Sequence, residues 1–191
     1  MLIAIVGIDG VGKTTQIKLL RDSMQYSVNL CKAIPNNRAI IEAIQYDDYI
    51  TFKETVSLAM AIDLISSYKT QVKDNEINIW DRYKYCIHAY FMAQQILYKK
   101  TNILLEQLIT PDITIWLKTE PCIAEKRINM RGNVKPLDNV AFLTLVQEQY
   151  ENVLGDVDNV YTIDCKDLYP NKVHEEIMSI VDNKLKYNQG K

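Results

Sequence analysis

Neither sign of charge dominates this sequence: 22 Lys and Arg stand against 24 Asp and Glu in 191 residues. A general polyanion-binding face is not expected, and no basic run points to nucleic acid. No apolar stretch approaches the roughly 20 residues that cross a bilayer, and the first run, Met1 to Val6, is too short for a signal peptide, so no membrane partner is expected. The four cysteines (Cys31, Cys86, Cys122 and Cys165) lie far apart without paired spacing. That excludes a zinc knuckle or a disulfide framework and leaves reduced thiols in a cytoplasmic protein as the expectation. The two histidines, His88 and His174, have no nucleophile in a matching pattern and are given no chemistry. No repeat or linker-like stretch is visible apart from a polar tail at 188–191, so the whole of 1–191 reads as one compact domain.

What is present alternates. Five short apolar runs rich in β-branched residues (Leu2 to Val6, Val28 to Cys31, Ile77 to Trp80, Ile113 to Leu117, Val160 to Ile163) are separated by longer segments of helical period. Ile17, Leu20 and Met24 form one apolar stripe; Phe142, Val146, Tyr150 and Val153 form another; Val173, Ile177, Ile180 and Val181 form a third. The pattern predicts an α/β fold of three layers, a five-stranded parallel sheet flanked by helices. Between the second and third runs the stretch 35–75 is too long for a crossover loop and reads as at least two helices of an acceptor-binding insertion.

The segment Gly7 to Thr14, GIDGVGKT, fits the phosphate-loop pattern of Gly, four residues, Gly, Lys and Ser or Thr, between a predicted strand and a predicted helix. Amides from Gly10, Val11 and Gly12 onward converge with the helix N-terminus on an anion. Lys13 can neutralise β- and γ-phosphates, Thr14 can place its hydroxyl on Mg²⁺, and Thr15 can reach the α-phosphate of ATP. Asp9 is out of place inside such a cradle, because a carboxylate pointing inward repels phosphate. It is expected to point outward to an acceptor; a solvated loop carboxylate is the alternative.

The third run ends in Asp81-Arg82-Tyr83, at the sheet edge where ligands of open α/β sheets bind. Asp81 takes the position of an acid that holds Mg²⁺ or its water shell and also faces the acceptor, while Arg82 can fork onto a phosphate; an ion pair between these two neighbours is the plain alternative. Arg127 and Arg131, four apart on one helix, can sweep over the nucleotide as part of a helical lid at about 127–139, unless Glu120 or Glu125 merely pairs with them. From Ser27 to Ile41 there is no carboxylate, only Lys32 and Arg38 among charged residues. A hydroxyl acceptor needs a general base and a phosphate acceptor does not, so this absence favours phosphate.

With these residues assembled, the sequence resembles the thymidylate kinase family over nearly its whole length. GIDGVGKTT with its internal Asp, DRY at Asp81 to Tyr83, Ala89-Tyr90, EPCIAEKRINMRG and the terminal YTIDCKD follow in that family's order. The resemblance implies Mg²⁺-assisted transfer from ATP to a nucleoside monophosphate, thymidylate first, and a homodimer paired through apolar helix faces such as Val56 to Val72. It implies that Asp9 meets the sugar hydroxyl, that Arg82 and Arg38 hold the acceptor phosphate, and that Tyr90 lies near the sugar or base. Gly10 follows Asp9 where some members carry a basic residue, which makes Arg131 the catalytic arginine beside Lys13 and Arg82. Met60 and Leu64 fall where the family has Phe and Arg; Met60 is expected to pack on the base, with Cys86 in the same pocket. Another nucleoside monophosphate, a deoxynucleoside, or nucleotide binding without turnover are the alternatives.

Overall fold

The computed structural model describes residues 1–34, 53–96, 99–132 and 134–189. Five strands lie on the five apolar runs: β1 (Leu2–Val6), β2 (Val28–Lys32), β3 (Ile77–Asp81), β4 (Ile113–Lys118) and β5 (Val160–Asp164). Apart from β1, each strand runs one residue past its apolar run, ending on Lys32, Asp81, Lys118 or Asp164. Those polar ends form the carboxyl edge of one all-parallel sheet in the order β2-β3-β1-β4-β5. The inner strands are largely apolar because they are covered on both faces, with Asn78 of β3 and Thr114 of β4 the buried polar exceptions; β1 is apolar and buried at every residue.

Seven helices flank the sheet among the described residues: α1 (Lys13–Ser23), α2 (Lys53–Gln71), α3 (Lys84–Ala93), α4 (Lys99–Leu105), α5 (Pro121–Met130), α6 (Val140–Leu154) and α7 (Pro170–Gln189). α1 packs on α7, while α6 packs along α3 and α5, giving the three-layer α/β arrangement. The stripes seen in the sequence become those contacts: Ile17 and Leu20 on α1, Phe142, Val146 and Tyr150 on α6, and Val173, Ile177 and Val181 on α7 are buried. α2 supplies one of the at least two helices expected in 35–75; the rest of that expectation falls at 35–52, outside the described residues, as does Arg38.

Registry decides what meets at the edge. Ile5 of β1 stands opposite Asp81 of β3, and the backbone N–H of Arg82 donates to the Ile5 carbonyl at 3.1 Å, so the loop leaving β1 emerges beside Arg82. β2, at the sheet's margin, is partly covered by α2: the Gln71 side-chain amide accepts from the Lys32 N–H (2.9 Å) and donates to the Lys32 carbonyl (3.2 Å). The two bonds imitate one more ladder pair and blunt an open edge.

Candidate active site

The loop from Gly7 to Gly12 leaves the buried end of β1 and enters α1 at Lys13. Gly10 is required by packing as well as by its φ of +80°: a Cβ there would stand 2.4 Å from the Ala124 carbonyl oxygen on α5. Gly12, with φ +110°, has nothing within 4 Å of the corresponding position, so its open side faces space for a ligand. Lys13 is 6% exposed, and its Nζ donates to the carbonyl oxygens of Gly7 (2.9 Å) and Ile8 (2.8 Å). Burial lowers its pKa to about 8, helped by the Arg82 charge and opposed by Asp9. The Tyr150 hydroxyl of α6 donates to the Gly7 carbonyl at 3.3 Å and braces the loop from the other side.

Asp9 stands at the border of the phosphate cradle, its carboxylate engaged by Arg82 and Tyr90. One carboxylate oxygen accepts from Arg82 Nη2, with Lys13 Nζ 4.0 Å off, and the other accepts from the Tyr90 hydroxyl at 3.0 Å. The Arg82 guanidinium lies 5.2 Å from the Tyr90 ring centre, over its face. Burial pushes the Asp9 carboxyl up, but Arg82, Lys13 and the Tyr90 hydroxyl together hold it well below the usual carboxylate range. Burial and then the Asp9 charge push the Tyr90 hydroxyl well above its usual value, so Tyr90 is a fixed donor. Arg82 therefore pairs across the sheet edge with Asp9 instead of with its neighbour Asp81. Its backbone sits in the left-handed region at φ +69°, a strained setting for a non-glycine residue of the kind concentrated at functional sites.

Three cavities meet around this cluster. A polar one of about 150 Å³ is lined by Asp9, Gly10, Gly12, Lys13, Thr14, Asp81, Arg82 and Arg131. On the Asp9–Arg82 side lies a cavity of about 180 Å³ walled by Ala33, Ile34, Met60, Tyr83, Cys86, Ile87, Tyr90, Phe91, Gln94, Lys135, Leu137 and Asp138. Asp9 and Arg82 belong to both. On the far side a cavity of about 440 Å³ runs from Gly10, Val11, Gly12, Thr15 and Gln16 to Arg127, Arg131 and the stretch from Cys165 to Pro170. Every site residue expected from the sequence thus gathers at this edge, apart from Arg38.

α5 carries the two arginines, though it ends at Met130 with Arg131 as its cap, two residues short of Gly132. Arg127 reaches the carbonyls of Val11 (3.5 Å) and Cys165 (3.4 Å), long contacts that bridge the loop to β5's exit. The acids offered as their partners are engaged elsewhere: Glu120 pairs with Lys166, and Glu125 accepts from the Val140 N–H at 3.0 Å.

Sequence reasoning missed several lining residues. Lys135, Leu137 and Asp138 come from the irregular stretch before α6, whose Asn139 side chain caps Phe142 at 2.9 Å. Asp138 is buried and accepts from the Lys135 N–H at 3.0 Å; burial, together with the nearby Asp9 charge, raises its pKa. Gln94 closes the end of α3, and Tyr150 gives no signal beyond its place in a stripe. The residues after β5 could have been found: a polar turn following the last strand must exit at the same carboxyl edge.

A protein-family model described as thymidylate kinase matches residues 5–177. A probable thymidylate kinase of Pyrobaculum aerophilum is 31% identical over 158 residues, covering 78% of this chain and 80% of its own. One of Archaeoglobus fulgidus is 27% identical over 193 residues, covering 97% and 96%. Among solved structures, a thymidylate kinase from Candida albicans superposes with a TM-score of 0.74 at 20% identity, covering 95% of this chain and 91% of that one. A deoxyadenosine kinase from M. mycoides with bound dATP gives 0.75 at 21%, covering 95% and 100%. These two share the fold.

Proposed function

The chain belongs to the thymidylate kinase family, and we propose that it transfers the γ-phosphoryl of ATP to a nucleoside monophosphate, with thymidylate the preferred acceptor. The observation that carries this reading is the shared wall: Asp9 and Arg82 line both the polar cavity at Lys13 and the largely apolar cavity beyond. In the proposal the triphosphate lies along the loop amides of Gly10, Val11 and Gly12, with Thr15 at the α-phosphate and Lys13 and Arg131 on the transferring group. The acceptor's base enters between Met60, Cys86 and Phe91, its sugar hydroxyl donates to Asp9 beside Tyr90, and Arg82 forks onto its phosphate. Arg38 is proposed to join that phosphate.

A phosphate monoester is largely ionised near neutral pH, so its oxygen attacks without a general base. The protein's work is positioning and charge neutralisation in a site that excludes water. The stretch 127–139 is proposed to close over the two substrates as a lid. Thr14 and Asp81 line the polar cavity with Lys13, and their oxygen ligands suit Mg²⁺, which keeps most of its shell as water and phosphate oxygens. Bound there, Mg²⁺ would supply further neutralisation of phosphate charge.

The proposal further includes a single domain, a cytoplasmic setting in keeping with four free cysteines, and a two-fold dimer through α2, whose Ile62 is 59% exposed. No described helix is long and apolar enough to cross a membrane. The decisive experiment is a coupled assay of ADP formation over dTMP, dUMP, dCMP, dGMP, dAMP and the corresponding nucleosides. ADP formation fastest with dTMP is expected. Turnover with nucleosides alone would replace the phosphate acceptor by a hydroxyl, and triphosphate binding without any transfer would reduce the protein to a nucleotide binder.

A further inference from the structure

The cavity beside the loop holds a buried polar atom without a protein partner. Gln16, three residues into α1, is 3% exposed and lines the cavity that also includes Gly12, Thr15 and Arg127. Its Nε2 donates to the Pro170 carbonyl at 2.9 Å. Its Oε1 has no hydrogen-bond partner among the described residues. A proline carbonyl can only accept, so the amide cannot turn to exchange its ends, and the buried Oε1 is fixed as an acceptor. A buried acceptor left without a donor is costly, and a ligand that brings an N–H recovers what is lost.

We propose that Gln16 is the residue that selects the base of the phosphoryl donor, its Oε1 accepting from the exocyclic amino group of an adenine. The inference rests on the kinase reading above and adds a specificity determinant to it. Position favours the donor: Gln16 follows Thr15 directly and lines the cavity on the far side of the loop from Asp9, where a triphosphate held by Gly10 to Thr15 would extend its base. Chemistry favours adenine: at the ring position where adenine bears an amino group, guanine and hypoxanthine bear an oxygen, which would face Oε1 as a second acceptor. Arg127, contacting Val11 and Cys165 across the same cavity, offers a guanidinium plane on which a base of either kind can stack, so discrimination falls to the amide.

The test is equilibrium binding by calorimetry, with no acceptor present, of ATP, GTP and purine riboside triphosphate, which has the adenine ring without the amino group. Wild-type protein is expected to bind ATP about tenfold more tightly than the deaminated analogue, and GTP no better than the analogue. In Gln16→Met, whose side chain is similar in length, ATP and the analogue are expected to bind within about threefold of each other. A purely structural Gln16 would weaken both alike and leave their ratio unchanged. Equal binding of ATP and analogue by the wild type overturns the inference whether or not the variant folds, as does a tenfold preference that survives in Gln16→Met. If no triphosphate binds the wild type, the inference falls together with the kinase reading; if all bind alike, it falls alone.

Discussion

On the proposed donor side one continuous stretch, Asp9 to Gln16, lines the phosphate cradle with backbone amides and glycines, and the arginines of α5 and the residues after β5 complete the wall. The acceptor cavity draws its lining from five separated segments: Asp9, Ala33 and Ile34, Met60, Arg82 to Gln94, and Lys135 to Asp138. Phosphate is the same in every nucleotide, so a short loop with fixed spacing can hold it. A base and sugar need an enclosed, shaped pocket, and only elements distant in the chain can enclose one. Arg82 joins the two halves, because its strained backbone aims the guanidinium at Asp9 on the boundary between them.

If that division holds, substitutions on each side should separate in their effects. The largest effect is expected from Lys13→Met, which removes the cation at the transferring group and should lower kcat by about 10³-fold with little change in the acceptor's KM. Single-turnover kinetics with a thermal melt to confirm folding would check it; a loss confined to acceptor KM would break the division. Arg82→Lys keeps the charge and loses the fork. The expected outcome is a fall of about a hundredfold in kcat/KM for the monophosphate, with the Kd for ATP held within about threefold. Calorimetry on the variant separates the two, and an equal loss on both sides would make Arg82 a structural strut.

The same division explains what could be read from the sequence. All five strands and the loop were legible because each is local: an apolar run, or a motif eight residues long. Strand order was not, since β3 enters between β2 and β1 for reasons of pairing that no single segment carries. That Asp9 faces an acceptor could be argued from charge alone, but the hydrogen bond it accepts from Tyr90, 81 positions away, has no local signal in the sequence. Lys135 and Asp138 fall within the helical lid expected at 127–139, but the helix ends at Met130 and the stretch before α6 has no period, so their individual places on the cavity wall were not legible.

pH offers a third, smaller separation, through Lys13. Its folded value of about 8 lies below the ordinary lysine value of 10.5, so between these the unfolded chain binds a proton that the folded chain has lost. The ligand-free protein should therefore gain stability as pH rises through that window, an increment visible in melts of wild type and absent from Lys13→Met. Phosphate favours the charged amine, so the Kd for ATP should weaken by at most about tenfold per unit above pH 8. Acceptor binding, resting on Arg82, should stay flat across the same range. A parallel pH dependence for both substrates would mean that Lys13 and Arg82 titrate as one network instead of serving two sides.

The smallest effect is expected deep in the acceptor cavity, and it is the finest test of the division. Met60 is 9% exposed and lines only that cavity. Met60→Leu nearly conserves volume, so its cost in stability should stay below about 1.5 kcal/mol. Leucine is branched where methionine is flexible, so the wall against the base changes shape without opening a void. The KM for dTMP should rise by about threefold, the ratio of dTMP to dCMP should move with it, and the KM for ATP should not change. If ATP's KM rises in step, the packing of α2 reaches the phosphate loop, and the two sides are one elastic unit. If only the acceptor constants move, the base pocket can be redrawn without disturbing transfer, which is how a family with one phosphate loop can come to differ in the bases its members accept.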